Sequence, residues 1–131
     1  MKISIPVSVG ELLDKISILE IKKERIQESD KKKNVSTELN LLRKVQIDSE
    51  LVETICPKIL DQLCQQLKKV NEELWKVEDK LRLLEEESNF SIAFVNFARS
   101  VYRLNDERAQ IKRKINELSG SELVEEKSYK G

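Results

Sequence analysis

Histidine is absent from this chain of 131 residues, and glycine, proline, cysteine and aromatic residues are scarce. Without histidine the chain lacks the commonest zinc ligand and the commonest general base near neutral pH, which weakens many enzyme hypotheses at once. Three glycines and two prolines leave few turns. Because 39% of the residues are hydrophobic, 37% are charged and only 5% are aromatic, the composition is typical of long amphipathic helices rather than of sandwiches or α/β sheets.

The two cysteines, Cys56 and Cys64, stand eight residues apart on one predicted helix, too far along it to form a disulfide with each other. A reducing, intracellular compartment is therefore the simpler expectation. The N-terminus lacks the apolar run of a signal peptide, and no stretch approaches the roughly 18 apolar residues of a membrane span. The sequence predicts a cytoplasmic protein without a membrane partner.

Neither sign of charge is in excess, since 24 basic residues balance 24 acidic ones. A protein that binds nucleic acid normally carries surplus basic residues that neutralise phosphates, so the sequence predicts no nucleic-acid partner. Three consecutive lysines lie in the polar segment 28–34. Such a run could contact phosphate, but between two helices it is usually only solvated, and we interpret 28–34 as an exposed turn.

What the chain does contain is apolar residues spaced alternately three and four apart, the pattern of one helix face. The first helix is predicted to begin at about Val9, because Ser8 and Glu11 have the spacing of a capping box. Residues 1–8 before it form an extended arm. A shorter second helix is predicted from Val35.

The third and fourth helices are predicted to form a long antiparallel hairpin. The third begins within a few residues before Pro57, with Thr54 as a plausible cap, and a turn at 88–89 joins it to the fourth. The fourth helix, Phe94 to Leu118, is predicted to organise the bundle. The apolar row of the third helix is Leu60, Leu63, Leu67, Val70, Leu74, Val77, Leu81 and Leu84.

A second, more polar row follows each helix of this hairpin. If Leu84 lies opposite Phe94, the antiparallel register brings the two rows to one side. It places Asp79 opposite Arg99, Tyr102 near Trp75 and Glu78, and Asn71 near Arg108 and Asn105. Trp75 is expected in the core, with its indole N–H paired to a carboxylate or a carbonyl. The rows are Cys64, Lys68, Asn71, Trp75, Glu78 and Arg82, and Ala98, Tyr102, Asn105, Ala109, Lys112 and Asn116.

Arg108 is the one charged residue in the apolar row of the fourth helix. An unpaired buried guanidinium is too costly to keep, so the side chain must reach water or find acceptors. The predicted acceptors are Asn71, Asn105, and Glu20 or Glu24 of the first helix.

These patterns predict a single all-α domain, an antiparallel bundle of three to four helices with a long helical hairpin. Residues 1–8 are the extended arm. Residues 119–131 are a tail that begins at a Gly-containing helix stop and should be partly mobile, with only Leu123, Val124 and Tyr129 to anchor it.

Four segments carry a family resemblance: GELLDKISILEIKKERI at 10–26, VNEELWKVEDKLR at 70–82, FARSVYRLNDERAQIKRKIN at 97–116 and LVEEKSY at 123–129. They resemble small bacterial and phage proteins that are grouped as a domain of unknown function. The resemblance implies no established activity, and it implies a setting among genes for surface-polysaccharide and glycosyl-transfer functions. The residues it carries over, without roles, are Asp14, Lys15, Glu20, Lys22, Arg25, Asn71, Trp75, Glu78, Asp79, Arg82, Arg99, Tyr102, Asn105, Asp106, Arg108, Lys112 and Asn116.

Three functions remain open. The favoured one is a binding or accessory module that acts through protein–protein association, with itself as a homodimer, through coiled-coil-like helix packing. The alternative is a site for a small anionic ligand, or an all-helical enzyme, because arginine forks bind carboxylate or phosphate. All-helical chorismate mutases work in this way, but the similarity is architectural only. The candidate site residues are Arg25, Asn71, Trp75, Glu78, Arg82, Arg99, Tyr102, Asn105, Arg108 and Lys112.

The third function is a Mg²⁺-dependent nucleotide pyrophosphohydrolase, which needs carboxylate pairs that converge on hard cations. The sequence offers three such pairs, but one has a capping role, one lies in a region of poor periodicity and one has arginines within predicted reach. We therefore expect no metal site and no cofactor. The pairs are Glu11 with Asp14, Glu50 with Glu53, and Glu78 with Asp79.

Overall fold

Four α-helices make up the bundle in the computed structural model, which describes residues 1–127. They are α1 (Val9–Arg25), α2 (Ser29–Asp48), α3 (Pro57–Glu86) and α4 (Ile92–Ser119). A short 3₁₀ turn, Leu51–Glu53, connects α2 to α3. The predicted all-α bundle with a long helical hairpin is confirmed, and the hairpin is α3 with α4.

The first helix, rather than the fourth, lies at the centre of the bundle, because α1 packs against each of α2, α3 and α4. It begins where the sequence predicts, at Val9, and the Ser8 Oγ accepts a hydrogen bond of 3.0 Å from the Glu11 N–H. Its wide apolar face is buried on more than one side. The buried cluster is Leu12, Leu13, Ile16, Leu19, Leu39, Leu51, Ile55, Leu60, Leu63, Leu67 and Ile115.

The second helix starts six residues earlier than predicted, at Ser29 instead of Val35. Nothing in the segment 28–34 stops a helix, because it contains neither glycine nor proline and lysine is a good helix former. Asp30 also lies in the first turn, where a negative charge is favourable. The polarity of this segment marks an exposed helix surface, so its interpretation as a turn was wrong.

The third helix begins at Pro57 itself, with Cys56 as the capping residue. Proline fits this first position because its missing N–H would have no partner there. Thr54 does not cap α3, since its Oγ1 donates to the carbonyl of Leu51 at 2.9 Å. At the far end of the hairpin Gly120 terminates α4 with φ of 65°, the left-handed conformation that glycine adopts without strain.

The hairpin is longer than the bundle that packs around it. The apolar row of α3 is buried from Leu60 to Val70 and only half-buried from Leu74 onward. We call residues 74–104 the distal hairpin, and Leu104 is its only buried residue. The core therefore lies at one end of the molecule, and a two-helix arm extends from it.

The chain ends differ from each other. Residues 1–7 have no regular secondary structure and are exposed. Residues 122–127 run back along α4, but Leu123 and Val124 are exposed and do not anchor them; Tyr129 lies outside the described residues. None of the helices within residues 1–127 is both long and apolar enough to cross a membrane.

Candidate functional site

A fully buried carboxylate, Asp14 of α1, lies at the junction of three helices. The Arg108 Nε donates to both of its oxygens, at 2.9 and 3.0 Å, and the Arg108 Nη2 pairs with Oδ2. The Asn71 Nδ2 donates to Oδ1 at 2.9 Å and also to the Ser17 Oγ at 2.8 Å. The Ser17 hydroxyl in turn donates to the Asp14 carbonyl at 2.7 Å.

Arg108 therefore finds an acceptor, but the acceptor is Asp14. Glu20 and Glu24, the carboxylates named from the sequence, instead flank Lys68 of α3, at 3.8 and 2.6 Å. The prediction placed Arg108 and Asn71 together correctly, since Asn71 hydrogen-bonds the same carboxylate. The prediction did not identify which face of α1 is turned toward Arg108, because that orientation depends on how α1 packs against the other helices.

Lys112, one turn beyond Arg108, extends the ion-pair network. Its Nζ lies 2.6 Å from Glu11, 2.9 Å from Glu125 and 3.8 Å from Asp14. Burial is the largest influence on the Lys112 ammonium and alone would lower its pKa, but the hydrogen bonds to Glu11 and Glu125 outweigh it and raise the pKa. The bond to Asp14 likewise raises the pKa of Arg108.

The start of α1 is closed by residues from the end of α4. The Gly10 N–H donates to the Asn116 Oδ1 at 2.7 Å, and the Val9 N–H donates to the Ser121 Oγ at 3.2 Å. With Glu11 bonded to the Ser8 hydroxyl, the three N–H groups of the first turn are satisfied. A side chain on Gly10 would place its Cβ 2.6 Å from the Lys112 carbonyl oxygen, so only glycine permits this approach.

We call this network the polar seam. Every fully buried side-chain nitrogen and oxygen in residues 1–127 has a hydrogen-bond partner, so no buried polar atom of the seam is left unsatisfied. The seam residues of α4 follow one another at intervals of four residues. Its carboxylates come from α1 and from the C-terminal segment. The members are Glu11, Asp14, Ser17, Asn71, Arg108, Lys112, Asn116 and Glu125.

Five of the eight seam residues are not among the candidate site residues that the sequence predicted. Asp14 and Asn116 were carried over by resemblance without a role, and Glu11, Ser17 and Glu125 were not proposed for it. A usable signal exists, because Gly10, Asp14 and Ser17 form a small or polar row on α1 like those on the hairpin. The side chain of Glu11 does not close the capping box that its spacing suggested, because Lys112 engages it.

Five of the remaining candidate residues line two cavities beside the seam. One, of about 370 Å³, is lined by Trp75, Glu78, Arg82, Asn105 and the edge of Arg108, together with Ile18 and Ile21 of α1. Trp75 is half-buried rather than in the core. No hydrogen bond to its indole N–H occurs within residues 1–127, contrary to the expected pairing.

The second cavity, of about 580 Å³, lies between α4 and the C-terminal segment, and Tyr102 lines it. Tyr102 does not line the cavity of Trp75 and Glu78, near which the antiparallel register placed it. The Arg103 Cζ lies 5.8 Å from the Tyr102 ring centroid. Hydrogen bonding and charge from Arg103, with a smaller contribution from Arg99, lower the pKa of the phenol.

Two further predicted positions stand apart from the seam. Arg25 is exposed in the last turn of α1, and within the described chain no ion pair or hydrogen bond joins it to the seam. The expected pair of Asp79 with Arg99 is likewise not formed between these two described residues.

The carboxylate pairs considered for magnesium are used differently. Glu11 and Asp14 contact Lys112 and Arg108, and Glu50 is an exposed residue with φ of 55° between α2 and the 3₁₀ turn. Within residues 1–127 no three aspartate, glutamate, cysteine or histidine residues are grouped as they would be around a metal ion.

Of the comparisons with known proteins, only the one with sequence families gives a match. No curated protein matches it significantly, and no solved structure does so either. One sequence family matches, over residues 1–131, and it is a family of unknown function, as the resemblance implied. The chain belongs to this family of unknown function, DUF6165.

Proposed function

We propose that the protein is a helical interaction module that pairs with a second copy of itself through the distal hairpin. The main support for this proposal is that the side of the hairpin that binds α1 continues past the end of α1. At the base, the Asn71 Nδ2 of α3 lies 2.9 Å and the Lys112 Nζ of α4 lies 3.8 Å from the Asp14 carboxylate. Further along the hairpin the same two polar rows continue with Trp75, which is half-buried, and with Tyr102, which is exposed.

Burial supports this proposal. Tyr102 is 54% exposed, Val95 48% and Leu83 48%, and the facing apolar rows of the distal hairpin are only half-buried. Two helices alone cannot enclose such rows, whereas a four-helix arrangement can. Each apolar side chain that a second hairpin removed from water would favour association by about 25 cal/mol per Å² buried.

The distribution of charge supports a second copy as the partner. Residues 72–86 of α3 carry six carboxylates against three basic side chains, whereas residues 88–104 carry two arginines and no carboxylate. Within residues 1–127 no ion pair joins α3 to α4, so these opposite charges are not consumed inside one hairpin. A two-fold axis would set α3 of each copy against α4 of the other.

The anionic-ligand alternative has less support. Arg108 and Lys112 are already matched by Asp14, Glu11 and Glu125, so an anion would have to displace a carboxylate from each. We also propose a cytoplasmic location, which the free thiols of Cys56 and Cys64 support. A role beside surface-polysaccharide enzymes is proposed from resemblance alone.

Light scattering at micromolar concentration tests the proposal and should give about twice the chain mass of 15.3 kDa. Tyr102→Lys should weaken association at least tenfold, because it places a charge in the buried face. The matched control is Ile47→Lys, at a 75% exposed apolar position of α2, which should stay dimeric. A wild-type chain that is monomeric across this range would overturn the proposal.

A further inference from the structure

The smaller cavity, of about 370 Å³, has an apolar floor and a charged rim. Ile18 and Ile21 of α1 and Leu74 of α3 form its apolar part, and Trp75 adds an aromatic wall. Glu78, Asp79 and Arg82 lie around it. It is therefore a concave site at the place where α1 ends and the distal hairpin begins.

Several groups around this cavity have unused binding capacity. Within residues 1–127 Glu78 and Asp79 take part in no ion pair, and the Trp75 indole has no hydrogen bond. An aromatic face beside two carboxylates is the environment that a guanidinium group binds, by stacking on the ring and by forked hydrogen bonds to the oxygens. Arg82 also lines the cavity, but within residues 1–127 it forms no ion pair with either carboxylate.

The distal hairpin itself carries two guanidinium groups that are suitable for this cavity. Arg99 and Arg103 are exposed on either side of Tyr102, and they are the only basic residues between 88 and 104. Neither forms an ion pair within residues 1–127. In a two-fold dimer of hairpins, these arginines of one copy face α3 of the other.

We infer that the Trp75 cavity of each copy receives a guanidinium from α4 of the second copy, supplied by Arg99 or Arg103. The inference rests on the proposed self-association and gives it specificity. The apolar face favours contact, and the arginine in the cavity fixes which faces meet. Two equivalent cavities are filled at once, since the interface is symmetric.

Trp75 is the only tryptophan in the chain, so its fluorescence reports on the cavity. A reporter chain carries Arg99→Gln and Arg103→Gln and keeps Trp75. A donor chain carries Trp75→Phe and keeps both arginines. Mixing them should shift or quench the reporter emission, because the donor's guanidinium enters the reporter's cavity. A matched donor that carries Trp75→Phe with both Arg→Gln changes should leave the emission unaltered.

Light scattering on the same samples separates the possible failures. The homodimer of the reporter chain should be about tenfold weaker than the wild type, because it retains the apolar face and loses the stacked cation. Mixed dimers whose emission is the same with either donor would overturn the inference and leave self-association standing. Absence of any dimer, the wild type included, would overturn both.

Discussion

At the scale of single residues, the buried Asp14 determines what its neighbours must be. A carboxylate at zero exposure is tolerated only when charge and hydrogen bonds compensate it, and Arg108 and Asn71 supply them. Arg108 breaks the apolar row of α4 for this reason. The sequence predicted that Arg108 needs an acceptor, but the row itself contained no information about which helix would provide it.

Arg108→Ala should therefore lower the free energy of unfolding by about 3–5 kcal/mol, because it leaves Asp14 buried without its partner. Adding Asp14→Leu to Arg108→Leu should restore part of the loss, so that the two changes are not additive. Arg113→Ala, an exposed arginine on the same helix, should cost less than about 1 kcal/mol. Urea unfolding measures all three, and equal effects at positions 108 and 113 would refute a buried pair.

Gly10→Ala should destabilise the protein by about 1–3 kcal/mol, although alanine normally stabilises a helix relative to glycine. The added methyl would meet the Lys112 carbonyl oxygen at 2.6 Å, and a backbone atom cannot rotate away. Asn116→Ala in the same chain should not rescue it, since the closest atom belongs to Lys112. A rise in melting temperature for Gly10→Ala would show that α1 and α4 are further apart than described.

At the scale of elements, local signals predicted much of the fold. Apolar periodicity predicted the hairpin, the capping spacing of Ser8 and Glu11 predicted the start of α1, and a glycine stop predicted the end of α4. Polarity placed the start of α2 wrongly, since it does not distinguish a turn from an exposed helix. The sequence also offered only apolar anchors for the C-terminal segment. That segment is held instead by ion pairs of Glu125 with Lys112 and of Glu126 with Arg113, contacts between charges that no sequence period predicts.

This attachment should depend on pH. Burial is the largest influence on the Glu125 carboxyl and alone would raise its pKa, but the hydrogen bond from Lys112 and other contacts lower it below 4.5. A depressed folded pKa means that its stabilisation is present above pH 4.5 and is lost as the pH falls through the folded value. The pKa of Lys112 is raised above 10.5, so its own stabilisation is lost only in alkali.

Melting temperatures between pH 3 and 7 check this dependence. Glu125→Gln should cost a few tenths of a kcal/mol near pH 7, because the side chain is 55% exposed and the pair is screened. The difference from wild type should vanish in acid, where both side chains are neutral. Glu126→Gln, at the more exposed pair with Arg113, is the control. A difference that persisted at pH 3 would contradict an electrostatic origin.

At the scale of the whole molecule, a hydrogen-bonded seam at one end and an open two-helix arm at the other divide the chain into two parts. The seam fixes α1 on the hairpin, and the arm carries half-buried apolar rows and charges that form no ion pair within residues 1–127. Both parts use the same side of α3 and α4, which α1 covers for only part of its length. We propose that a second copy of the chain covers the rest.

A mixing experiment with reversed charges tests this claim most directly. One chain carries Glu78→Lys and Asp79→Lys, and the other carries Arg99→Glu and Arg103→Glu. Each alone should sediment as a monomer, because α3 and the facing α4 then have the same sign of charge. An equimolar mixture should sediment at about twice the chain mass of 15.3 kDa, because complementarity is restored at both contacts of the two-fold interface. If each variant alone remained dimeric, or if the mixture remained monomeric, the distal hairpin would not be the surface through which the protein pairs.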